Sequence, residues 1–128
     1  MSADVKKALV VEDEPGIASV CSRILTGEGF LTEIAVNGKV ALDMVKEGKN
    51  RYDVCLIDIR TPQMNGVELY QHLEEEYPGA VDKIIFTTGD VMSGNLGQFL
   101  ERVNRPYLPK PFTPAELKAV VRKAMDGR

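Results

Sequence analysis

The chain has 128 residues and a net charge of −3 with both signs scattered along it, which sets the expectation of one domain with its own core. No apolar run approaches the length of a membrane span, and no basic stripe marks a nucleic-acid face. The start, Met-Ser-Ala-Asp-Val-Lys-Lys, has no apolar signal core behind its charges, so secretion is not expected and a cytoplasmic place is.

Val5 to Val11 reads as a strand, with Ala8, Leu9, Val10 and Val11 its buried part. Glu12, Asp13 and Glu14 follow at once, and Pro15 suits the first turn of a helix. Ile17, Val20, Cys21, Ile24 and Leu25 then recur at helical spacing up to Gly27. Phe30 to Val36 is a second strand. Asn37-Gly38 opens a helix bearing Val40, Ala41, Met44 and Val45 on its apolar face, ending at Gly48. Val54 to Ile57 is a third, fully apolar strand that ends on Asp58. Pro62 and Asn65-Gly66 give turn signals before a third helix, Gly66 to Tyr77, which Pro78-Gly79 stops.

Lys83 to Thr88 is a fourth strand centred on Ile84, Ile85 and Phe86. Val91 to Val103 is helical by its later pattern (Leu96, Phe99, Leu100, Val103), while Ser93, Gly94, Asn95 and Gly97 weaken its start. Such a weak first turn suits a segment whose population shifts. Tyr107-Leu108 is a very short fifth strand. Thr113-Pro114-Ala115-Glu116 is a capping box with proline at the first helical position. Leu117, Val120, Val121 and Ala124 complete the apolar face of that last helix. Cys21 and Cys55 fall in apolar patterns without metal spacing and read as reduced core residues. The lone histidine, His72, falls on the outer side of its helix and reads as solvated.

Strand and helix thus alternate five times. That alternation implies an α/β fold with a five-stranded parallel sheet and five helices on both faces. Right-handed crossovers put every strand's carboxyl end on one edge. Glu12, Asp13, Asp58, Thr88 and Lys110 become neighbours there, although they are far apart in sequence. Two roles fit Asp58 at such a position: capping the next turn, or acting as a nucleophile where open α/β sheets bind ligands. Three carboxylates on one edge repel, at about 4 kcal/mol for a pair about 4 Å apart. Oxygen-only donors at a partly open site suit Mg²⁺, which binds through one or two carboxylates and phosphate oxygens. With Thr88 as a hydroxyl and Lys110 as a mobile cation, the set points to phosphoryl transfer onto Asp58.

Four segments carry a resemblance. Val-Glu-Asp-Glu at 11–14, Leu-Ile-Asp-Ile-Arg-Thr-Pro-Gln-Met-Asn-Gly at 56–66, Thr-Thr-Gly at 87–89 and Tyr-Leu-Pro-Lys-Pro-Phe at 107–112 resemble response-regulator receiver domains of two-component signalling. The resemblance covers nearly the whole chain and implies the flavodoxin-like strand order 2-1-3-4-5. By position it implies Asp58 as phosphoacceptor. It implies Asp13, Asp58 and the backbone carbonyl of Arg60 as Mg²⁺ ligands, with Glu12 holding a metal-bound water. It further implies Thr88 and Tyr107 as switch residues, Lys110 as the phosphate-contacting lysine, and a cis Lys110-Pro111 bond. Glu12 departs from the commoner aspartate, Thr61 stands where methionine is frequent, and Gly89 where alanine is frequent.

The implied function is a switch. A histidine kinase or histidine phosphotransfer domain supplies the phosphoryl group. The face of the fourth helix, last strand and last helix then binds an effector or a second copy. The alternative is a receiver-like interaction module that is never phosphorylated, although such modules usually lack one of Asp58, Thr88 or Lys110. A flavin site is disfavoured because Glu12, Asp13 and Glu14 would repel its phosphate, and a dehalogenase-type phosphatase would want an aspartate where Arg60 stands. Any enzymatic activity reduces to slow loss of the domain's own phosphoryl group. Arg60 and Asp90 could pair across the mouth of the site, or both could point into solvent. No output segment follows the last helix, so the expectation is a stand-alone regulator or a receiver of a larger protein; the 86–117 region is similar to receivers of hybrid histidine kinases.

Overall fold

Alternation along the central strands decides the architecture. In the computed structural model, which describes residues 5–48, 51–89 and 95–126, β1 (Lys6–Val11), β2 (Phe30–Ala35), β3 (Val54–Asp58), β4 (Ile84–Thr88) and β5 (Tyr107–Pro109) form one sheet. Its order is β2-β1-β3-β4-β5, and every pairing is parallel. This is the flavodoxin-like order that the resemblance implied.

The central parallel strands are buried on both faces, so side chains of successive residues enter two different cores. Leu9, Val11, Cys55, Ile57, Ile84 and Phe86 point into one, where they meet α2 (Gly38–Gly48), α3 (Gly66–Glu76) and α5 (Leu96–Val103). Ala8, Val10, Val54, Leu56 and Ile85 point into the other, against α1 (Pro15–Gly27) and α6 (Pro114–Asp126). Cys55 lies in the first core and Cys21 in the second, both free and buried. Burial pushes the Cys21 thiol up to about 11, as for an unreactive core residue.

A short helix, α4 (Pro78–Val81), adds to the five that the pattern predicts. Pro78 does end α3, but it also occupies the first position of this four-residue turn, where its missing N–H costs nothing. The fifth predicted helix has its capping box: Thr113 Oγ1 accepts from the Glu116 N–H at 3.1 Å, and Glu116 Oε1 accepts from the Thr113 N–H at 2.8 Å. His72 is exposed beside Glu76, one turn on. The weak start predicted around Val91, Ser93 and Gly94 lies outside the described residues. Among the described residues, no helix is long and apolar enough to cross a membrane.

The larger core centres on three rings. Phe86 is fully buried, with Phe99 edge-on at 5.6 Å and Tyr70 at 6.1 Å between ring centroids. Phe86 therefore joins β4 to α3 and α5 at once. Phe86→Ala is expected to destabilise the fold by about 3–5 kcal/mol, measured as a fall in the urea midpoint.

Candidate functional site

Four strand ends build the site. β1 stops at Val11, so Glu12 and Asp13 leave the sheet together. β3 ends on Asp58, β4 on Thr88, and Lys110 follows β5. Burial differs sharply among the acids: Glu12 and Asp58 are buried, while Asp13 is exposed. One carboxylate oxygen from each of the three lies within 4.8 Å of the others.

Such crowding needs positive charge, and Lys110 provides it. Its ammonium donates to Glu12 Oε1 at 2.8 Å and to Asp58 Oδ2 at 3.0 Å. The remaining oxygens are held by backbone. Glu12 Oε2 accepts from the Glu14 N–H at 3.1 Å, and Asp58 Oδ1 accepts from the Arg60 N–H at 3.1 Å. Burial is the main influence on Glu12 and pushes its carboxyl above the usual range, although the Lys110 hydrogen bond pulls the other way. Burial also works against the Lys110 charge, but its two carboxylate partners outweigh that and hold the ammonium above the usual lysine value.

Lys110 is placed by main chain. Its N–H donates to the Thr88 carbonyl at 2.8 Å, continuing the pairing of Thr88 with Pro109. The Lys110-Pro111 bond is cis. The Thr88 side chain is wholly buried at the end of β4. Tyr107, paired with Phe86, is 43% exposed on the outer strand. Among the described residues, the nearest neighbour of a Cβ at Gly89 would be the Lys110 Cβ at 4.0 Å.

Likeness to known proteins shows which family the chain belongs to. The family model described as response regulator receiver domain matches residues 8–122. This chain belongs to that family: it is a receiver domain. Among its relatives is the DNA-binding response regulator MtrA of Mycolicibacterium smegmatis, 36% identical over 117 residues. That match covers 91% of this chain and 49% of the relative, so the chain spans about half of that protein's length. Among solved structures, a CheY-like receiver domain protein from Methanospirillum hungatei superposes with a TM-score of 0.85 at 28% identity, covering 97% of this chain and 96% of that one. The receiver domain of sensor histidine kinase PA1611 from Pseudomonas aeruginosa, with magnesium coordinated in its active-site cleft, gives 0.83 at 25% identity, over 96% of this chain and 99% of that one.

The receiver's own donor set fits a hard divalent cation. Three carboxylates converge without a histidine or thiol among them, and one of the three faces solvent. Glu12, Asp13, Asp58 and Lys110 converge at one edge, with the Arg60 amide on Asp58, and Thr88 ends the strand that lies between β3 and β5. Asp90, the imagined partner of Arg60, lies outside the described residues. Sequence reasoning missed the Glu14 N–H that orients Glu12, and the role of Thr61, whose hydroxyl donates to the Met64 carbonyl at 2.8 Å. The signal in the sequence was Thr61 itself, a hydroxyl residue directly after Arg60 where the family frequently has methionine.

Removing the internal cation exposes the repulsion. Lys110→Met is expected to cost the metal-free receiver about 3 kcal/mol, as when one partner of a buried ion pair is deleted. Added Mg²⁺ should recover part of that loss in urea unfolding. The loss should also shrink in acid as Glu12 takes up a proton. That recovery begins above the ordinary glutamate range because burial holds the Glu12 carboxyl high.

Proposed function

We propose that this receiver is a phosphorylation switch whose phosphoacceptor is Asp58. The observation that carries the reading is the Lys110 ammonium bridging Asp58 and Glu12 at the sheet edge. It sets a cation directly against the one carboxylate that ends a central strand. The donor is a phosphohistidine of a histidine kinase or a histidine phosphotransfer domain. Likeness to the receiver of a sensor kinase supports that class of partner.

An Asp58 carboxylate oxygen attacks phosphorus, and the phosphorus–nitrogen bond to the donor imidazole breaks. The imidazole leaves with the bonding pair and takes a proton. Asp13, Asp58 and the Arg60 carbonyl would hold Mg²⁺, with Glu12 acting through a metal-bound water. When bound, the ion neutralises charge on the acids and on the phosphoryl oxygens. The chain's own contribution is placement. The Arg60 N–H fixes one Asp58 oxygen, leaving the carboxylate aimed from a rigid strand end. Lys110 redirects an N–H to a phosphoryl oxygen, which offers more negative charge than the carboxylate it leaves.

Thr88 then donates its hydroxyl to the phosphoryl group, and Tyr107 turns from its exposed position toward the space this vacates. The face of α5, β5 and α6 thereby changes its packing and binds an effector or a second copy. The domain turns over no substrate of its own beyond slow loss of the phosphoryl group. Incubation with acetyl phosphate and Mg²⁺ is expected to add the mass of one phosphoryl group to the intact protein. Asp58→Asn should abolish the addition, and a full-sized signal on Asp58→Asn would overturn the assignment.

A further inference from the structure

The loop between β3 and α3 carries the peptide that holds Asp58, and sheet pairing does not account for its shape. Ile59 is the last residue tied to the sheet, its N–H on the Thr87 carbonyl at 3.0 Å. From there the chain must turn back so that the Gly66 N–H reaches the Ile59 carbonyl at 2.8 Å. Gln63 sits at φ 66° inside this turn. A non-glycine residue in the left-handed region costs about 1 kcal/mol or more, so surrounding contacts must hold it there.

Those contacts converge on one atom. The Met64 carbonyl accepts from Thr61 Oγ1 at 2.8 Å and from the Gly38 N–H at 3.1 Å. The Thr61 side chain is buried, so water does not compete for the bond. Gly38 approaches so closely that a Cβ there would lie 2.2 Å from the same oxygen. The first turn of α2 is itself held by Asn37, whose side chain accepts from the Val40 N–H at 2.8 Å. The turn is thus pinned from outside by α2 and from inside by Thr61. Thr61 directly follows Arg60, whose N–H fixes Asp58 Oδ1.

We propose that Thr61 is a positioning residue for the acidic site. Its hydroxyl holds the Met64 carbonyl against α2, which sets the plane of the Arg60 peptide and through it the Asp58 carboxylate. The assignment rests on the reading of Asp58 as the phosphoacceptor and metal ligand. It requires a hydroxyl donor at position 61 and not merely bulk. Valine reproduces the shape of threonine without the donor. Serine keeps the donor without the methyl group. In Thr61→Val the Met64 carbonyl still takes the Gly38 N–H, so no buried acceptor is left unpaired and the fold survives.

The test compares wild type, Thr61→Val and Thr61→Ser by two readouts that need no phosphorylation. The first is amide exchange at Arg60 in metal-free protein. The second is the Mg²⁺ dissociation constant from chemical-shift titration, with melting temperature as control. Thr61→Val should speed Arg60 exchange and weaken Mg²⁺ binding about fivefold, the worth of one net hydrogen bond. Thr61→Ser should stay close to wild type in both. If valine is not accommodated, Thr61→Ala poses the same question with less bulk. Wild-type Arg60 exchange in Thr61→Val, or a loss shared equally by Thr61→Ser, overturns the inference. Wild-type protein that binds Mg²⁺ but takes no phosphoryl group overturns the proposed function and leaves the role of Thr61 standing on these two readouts.

Discussion

Repulsion among three carboxylates governs the upper edge of this molecule. Glu12, Asp13 and Asp58 each bring an oxygen into a region less than 5 Å across, and two of them are buried. At an effective dielectric of about 20, two like charges about 4 Å apart repel by about 4 kcal/mol, and the pairs that include the water-facing Asp13 repel less. A chain selected only for stability would not keep such a group. Lys110 neutralises the two buried members, and backbone N–H groups satisfy their other oxygens. The cluster is tolerated because positive charge is supplied from the far side of the sheet, and a cation of higher charge can share that work.

The sheet makes this possible by its connectivity. β1 and β3 are neighbours, so their acids meet without any loop reaching far. β5 is at the outer edge, and Lys110 crosses past β4 to reach them while its main chain stays on the Thr88 carbonyl. The core beneath is apolar and close-packed on both faces, with Phe86, Ile57, Leu9 and Ile85 fully enclosed. Strand ends therefore hardly move relative to one another. What can move are the side chains beyond them and the loops that bear them, which is where a switch has to act.

Legibility in the sequence followed the range of the interaction. The central strands β1, β3 and β4 appeared as apolar runs because both faces of the sheet are buried there, and α6 announced itself through its capping box. The site residues were recoverable because topology, which alternation implies, brings the ends of strands together. The additional turn α4 was hidden because Pro78 serves equally as a stop and as a start. The Met64 carbonyl and its two donors were invisible for another reason. Gly38 and Met64 are distant in sequence, and no periodicity reports that a helix start and a loop touch. Asn65-Gly66 read only as a turn, whereas Asn65 is one half of a capping box with Glu68.

Substituting glutamate for the commoner aspartate at position 12 alters how the acids divide their work. Both Glu12 oxygens are engaged, one by Lys110 and one by the Glu14 N–H, and the side chain is almost fully enclosed. Asp58 is similarly engaged, by Lys110 and the Arg60 N–H. Asp13 is the acid that faces water. An approaching cation therefore meets Asp13 before it meets the buried pair, and the desolvation it must undergo is shared with a carboxylate still in contact with solvent. Asp13 shares its cavity with Arg60, whose peptide N–H already addresses Asp58. Asp13 and Arg60 line one cavity together with Thr61, whereas Lys110 lines a different one with Glu14 and Phe112.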